Sequence, residues 1–171
     1  VHEAGAKYIM GCNPMALAVM KTPAEYGADI AVGDGQPLGM PLAFGGPYLG
    51  FMTATAAMTR KLPGRIVGET ADHEGRRAFV LTLQAREQHI RREKASSNVC
   101  SNQAWCALTA SVYMTAMGAD GMAKAAGQCM SKAHYLRDVL KEAGLEPKHN
   151  CEFFHEFVTV SPEGGCTDSA H

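Results

Sequence analysis

No charge of either sign dominates this 171-residue chain: 16 lysines and arginines stand against 17 aspartates and glutamates, a formal net charge of −1. A chain so balanced has no long-range field to draw it to nucleic acid or to an anionic membrane surface, and neither is expected as a partner. No apolar run reaches the roughly 18 residues that a membrane span requires. The six cysteines, Cys12, Cys100, Cys106, Cys129, Cys151 and Cys166, include no CxxC pair. Three of them fall in Ala- and Met-rich helical patterns, where a thiol packs as a small hydrophobe, so reduced thiols and a cytoplasmic location are the expectation. His149, Cys151 and His155 match no zinc spacing, and no metal is expected. The start, Val1-His-Glu-Ala, lacks both an initiator Met and a signal-peptide pattern and reads as cut.

What the chain does have is apolar material, 46% hydrophobic against 19% charged, enough for a core. It also has one unusual stretch, Gly27 to Phe51, in which two short apolar runs, Ile30 to Val32 and Leu49 to Thr53, bracket a loop rich in glycine and proline. Proline fixes φ and glycine supplies the positive φ and close approaches that other residues resist, so such a loop is shaped rather than slack. Long shaped loops inside a domain usually carry function. Gly45-Gly46-Pro47 lacks the Lys-Ser/Thr ending and following helix of a phosphate loop and reads as a tight turn.

Around this loop the pattern alternates short strands and short helices, as in a parallel α/β sheet. His2 to Gly5 reads as a helical turn closed by Gly5, and Lys7 to Met10 as a strand. Asn13-Pro14 and Thr22-Pro23-Ala-Glu25 are helix starts, the second with capping-box spacing. Arg65 to Thr70 and Arg77 to Leu83 read as a hairpin turning at Asp72-His73-Glu74-Gly75. Asn102 to Met117 has hardly a charge and reads as a helix buried on most sides, ended by Gly118; Met114, Met117, Met122 and Met130 read as core. Asp120 to Ala143 reads as an amphipathic helix closed by Gly144, and Glu152 to Val160 as a strand.

Gly27-Ala-Asp-Ile-(x)-Val-Gly-(x)-Gly-Gln-(x)-Leu-Gly-(x)-Pro-Leu-(x)-Phe-Gly-Gly-Pro-Tyr-Leu-Gly50 resembles the glycine decarboxylase P-protein of the glycine cleavage system, in its N-terminal half or subunit 1. The resemblance continues through Lys61 to Thr70 and Phe79 to Asn98, and covers about Ala4 to Pro147. It implies an α/β fold of the pyridoxal-phosphate fold-type-I, aspartate-aminotransferase-like kind. Residues 1–117 would then be part of the large domain with the connecting helix at its end, and 118–171 the start of a small C-terminal α+β domain.

In such enzymes a Lys forms the imine with pyridoxal phosphate and an Asp balances the pyridinium, making the ring an electron sink. Aligned by the Pro that opens the glycine run, here Pro41, the lysine position is Gln36 and the Asp position falls near Gly11. The resemblance therefore implies a non-catalytic chain that binds no cofactor alone. It would assemble as a heterotetramer with subunit 2, which bears the pyridoxal phosphate, and serve the lipoylated H-protein. The basic stretch reads first as a solvated face, with Arg86, His89, Arg91 and Arg92 as the interface candidates if it is covered; Ser96, Ser97 and Asn98 read first as helix caps, and are the candidates for reaching a neighbouring subunit's phosphate. Cys100 reads as packed against the long helix. Two further readings stand beside this one: a self-sufficient pyridoxal-phosphate enzyme, against which Gln36 argues, and a stand-alone interaction module. The isolated chain is expected to self-associate through exposed apolar surface.

Overall fold

A computed structural model describes residues 1–95 and 103–160. Ile9–Gly11 (β1), Ile30–Asp34 (β2) and Gly50–Ala54 (β3) form one sheet in the order β1-β2-β3. β1 and β2 are parallel, with Ile9 opposite Ile30 and Gly11 opposite Val32. β2 and β3 are antiparallel, with Ile30 opposite Ala54 and Asp34 opposite Gly50. The expectation of a parallel sheet is corrected at β3. A parallel return needs a crossover of a dozen residues or more, usually helical, whereas the glycine-rich loop folds back on itself and returns its strand antiparallel.

Asp29 fixes the entry to β2. The residue is 8% exposed, and its carboxylate accepts Lys7 Nζ at 2.9 Å and the Tyr8 amide at 2.9 Å and lies 2.8 Å from His2 Nε2. The Lys7 ammonium first, then the Tyr8 amide and His2, hold its carboxyl well below the usual carboxylate range. A depressed carboxyl stabilises the fold above its unfolded pKa of about 3.9 and loses that contribution as pH falls through the folded value. Thermal melts are thus expected to weaken as pH drops below about 4, and Asp29→Asn to melt lower than the parent at pH 7 with the gap closing in acid. A constant gap across that range would remove Asp29 as the cause.

The short turns follow their caps. Asn13 Oδ1 accepts the Met15 amide at 2.9 Å ahead of the 3-10 turn Ala16–Ala18. Glu25 accepts the Thr22 amide at 2.7 Å and Thr22 Oγ1 at 2.8 Å, so the capping box forms, although on a turn and not on a helix. Ile66–Ala71 (β4) and Arg77–Thr82 (β5) make the expected hairpin, in which the Asp72 carboxylate accepts the amides of Glu74 and Arg76. Arg77 pairs with Glu69 across the strands and sits over the Phe79 ring.

Gln88–Arg91 (α1) is a single turn. Ala104–Glu142 (α2) is one long helix interrupted at Gly118, whose φ of 62° and ψ of −179° are not helical. That break lies where the sequence ended its first helix. The C-terminus closes as a Schellman motif, with Gly144 at φ 89°, its amide on the Lys141 carbonyl and the Leu145 amide on Leu140.

The core is small. Met15, Leu38, Ala110 and Ala126 are buried, with Met40, Leu49, Tyr113, Met122 and Phe154 packed against them. The glycine-rich loop is thereby sandwiched between the sheet end and α2. The N-terminal half of α2 is not buried on most sides: Ala110 is its buried residue, while Trp105 is 81% exposed and Leu108, Val112 and Met114 are exposed as well. Met130 is also exposed, so of the four methionines assigned to the core Met114 and Met130 are corrected. Apolar composition alone does not say which neighbour covers a helix, and here one face meets the loop while another meets none of the described residues. Glu152 to Val160 is not a full strand; it makes one antiparallel bridge, Thr159 with Pro147, flanked by bonds from Lys148 to Val158 and from Val160 to Glu146.

Candidate functional site

Because β1 and β2 run parallel, both carboxyl ends open on the same edge of the sheet, where ligands of open α/β sheets bind. β1 ends at Gly11 and leads into Cys12 and Asn13; β2 ends at Asp34 and leads into Gly35 and Gln36. The Asp34 carboxylate turns this corner by accepting the Gln36 amide at 2.7 Å and the Leu49 amide at 3.4 Å. The Gly35 amide bonds the Leu49 carbonyl at 2.6 Å, closing the base of the loop.

Two adjoining cavities lie here. One, about 450 Å³, is lined by Cys12, Asn13, Asp34, Gln36, Pro37, Tyr48 and Glu156. The other, about 300 Å³, runs under Gly11 between the turn Ala16–Ala18 and the segment Phe154 to Glu156, with Lys21 and His155 in its wall. They share Cys12, Asn13 and Glu156. Burial pushes the Cys12 thiol pKa up, so it stays neutral and protonated. The two positions aligned with the cofactor anchors, Gly11 and Gln36, therefore line neighbouring lobes of one cleft.

Gly11 and Gln36 do not supply, at their two positions, the pyridinium-balancing carboxylate and the imine-forming amine that pyridoxal phosphate requires. The Gln36 carboxamide forms no imine, and its Nε2 is committed to the Met40 carbonyl at 2.8 Å. Gly11 has no carboxylate to set against a pyridinium. In the lobe that contains Gln36 the ionisable groups besides a neutral thiol and Tyr48 are the carboxyls of Asp34 and Glu156, the wrong sign for a phosphate.

The basic stretch lies elsewhere. His89, Arg91 and Arg92 are exposed, line neither lobe, and Arg91 Nε donates to the Ala85 carbonyl at 3.3 Å. Arg86 falls in the 3-10 turn Gln84–Arg86. Ser96, Ser97, Asn98 and Cys100 lie outside the described residues. Among those described, no three side chains of His, Cys, Asp or Glu converge as a metal site, and Cys12, Cys106, Cys129 and Cys151 are free thiols. Sequence reasoning missed Cys12, Lys21, Asp34, Tyr48 and Glu156 as cleft residues. Asp34-Gly35 carried a turn signal; Glu156, 120 positions beyond Gln36, carried none.

The glycine cleavage system P-protein family matches residues 1–170 of this chain. The chain belongs to that family. It is 58% identical over 158 residues to the probable glycine dehydrogenase (decarboxylating) subunit 1 of Moorella thermoacetica, which covers 92% of this chain and 36% of that protein. The corresponding protein of Shouchella clausii is 54% identical over 158 residues, again 92% of this chain and 35% of its own length. A crystal structure of glycine decarboxylase (P-protein) in inhibitor-bound form superimposes with a TM-score of 0.87 at 48% identity, over 95% of this chain and 38% of that one. The chain thus spans about a third of the length of the curated relatives it matches, and it carries the mixed α/β fold that the resemblance implied.

Proposed function

We propose that this chain works as part of a non-catalytic subunit 1 of glycine decarboxylase, shaping an assembly whose pyridoxal phosphate sits on a lysine-bearing subunit 2. The observation that carries the proposal is Gln36: an amide bonded to the Met40 carbonyl stands where the resemblance puts the imine-forming lysine. Bound in the partner, the cofactor would supply an electron sink for decarboxylating glycine. This chain's own part is scaffolding. The exposed face of α2 at Trp105, Leu108 and Val112, and the apolar positions Val67, Phe79 and Val80 of the β4–β5 hairpin, offer surface for another subunit to cover. Arg91 and Arg92 offer guanidinium cations, and His89 beside them an exposed imidazole, at an interface or to the carrier H-protein.

Alone and mixed with pyridoxal phosphate, the chain is expected to show no imine band at about 400–430 nm and no glycine–bicarbonate exchange. Adding a lysine-bearing subunit 2 should restore exchange. Gln36→Lys alone should still give none, because Gly11 leaves the pyridinium without its carboxylate. Exchange by the single variant, or by the parent chain unaided, would overturn the proposal.

A further inference from the structure

The 300 Å³ lobe beneath Gly11 is not explained by a scaffolding role. It opens at the carboxyl end of β1, on the edge of the sheet where α/β folds hold ligands, and shares Cys12, Asn13 and Glu156 with the lobe at the end of β2. Its apolar floor is Met10, Leu17 and Phe154; Met20 also lines it but is 48% exposed. Its wall carries one ammonium, Lys21, and one carboxylate, Glu156, and neither makes an ion pair or hydrogen bond among the described residues. An ammonium and a carboxylate lining one largely apolar pocket at the small end of the ligand-site range suit a small zwitterion with an apolar part. We propose that this lobe binds a free α-amino acid with an apolar side chain, its carboxylate to Lys21, its ammonium to Glu156 and its side chain on the Met10–Phe154 floor.

Glycine, the substrate class of the family, has no side chain to place on that floor and gains nothing from it. The lobe therefore discriminates against glycine by the apolar burial that a longer side chain gains there. The inference rests on the preceding reading in one respect: the cleft must hold no covalent cofactor.

Ligand-observed NMR titration of the full chain with L-leucine tests it. Binding is expected with a Kd on the order of 1 mM, the range a nine-atom ligand reaches in a partly open site. Glycine, 4-methylpentanoate, which lacks the amine, and 3-methylbutylamine, which lacks the carboxylate, should each bind more weakly. Lys21→Met and Glu156→Gln should each weaken L-leucine by about fivefold, the upper end for a partly exposed ion pair, and Lys21→Arg should retain it. Both side chains are exposed, so the variants should fold, with circular dichroism as the check. Absence of saturation transfer to L-leucine, equal binding of all four ligands, or unchanged affinity in both variants would overturn the inference. An imine band at about 400–430 nm would instead overturn the non-catalytic reading, and with it the premise of an open lobe.

Discussion

Gly33→Val lowers the melting temperature by about 10 °C, the expected result of roughly 3 kcal/mol of overpacking in a domain of this size. A Cβ at Gly33 would run into the Cys12 carbonyl oxygen and lie 2.6 Å from the Phe51 ring. Phe51 is the cross-strand partner of Gly33, and its ring folds over the bare backbone there. The ring can rotate away, but the Cys12 carbonyl belongs to the chain leaving β1 and cannot move without loosening the β1–β2 edge. The Cys12 amide bonds the Val32 carbonyl at 2.9 Å, so the same displacement opens the cleft. Gly50→Val is the control, since a Cβ at Gly50 meets nothing within 4 Å. Circular dichroism melts in which both variants behave alike would show that the crowding at Gly33 is not real.

Gly39→Val is the second large effect, about 3 kcal/mol, combining a left-handed backbone penalty with overpacking. Gly39 has φ +85° and a Cβ there would stand 2.8 Å from Cβ of Tyr113 on α2. This is where the loop is clamped to the helix: Leu38 is buried beside Ala110, and Cys106 Sγ lies 3.8 Å from the Pro47 carbonyl further along. Forcing the loop off α2 moves Gln36 and the Met40 carbonyl that holds it. Gly45→Ala separates the two causes, because Gly45 has φ +99° with nothing within 4 Å of its Cβ and should cost only the backbone part, about 1 kcal/mol. Equal losses in urea unfolding for the two variants would mean that the loop does not rest on Tyr113.

Much of the local structure was legible. Gly5, Gly75 and Gly144 were read as stops or turns and all have positive φ, because only glycine adopts that region without strain. The hairpin turn at Asp72, the capping box at Thr22 and the helix break at Gly118 follow from side-chain chemistry within a few residues. Three readings were not recoverable that way. The direction of β3 depends on whether its loop crosses the sheet or doubles back. Exposure of Trp105 and Met114 depends on which helix face the loop occupies. The segment after Lys148 has strand-like alternation but finds only Glu146 to Lys148 to pair with.

For the candidate site the division is sharper. Sequence by itself determined family membership and the amide at position 36, since a Gln36 side chain cannot become an imine in any fold. It also marked the loop as one shaped by its own backbone torsions, because glycine and proline act on the backbone where they stand. Only tertiary structure decided that Gly11 and Gln36 line adjoining lobes, and that Lys21 and Glu156 face one cavity across 135 positions of chain. The physical reason is that bond torsions are set by neighbours in sequence, whereas a cleft is made by segments meeting through burial, and burial carries no record of their spacing along the chain.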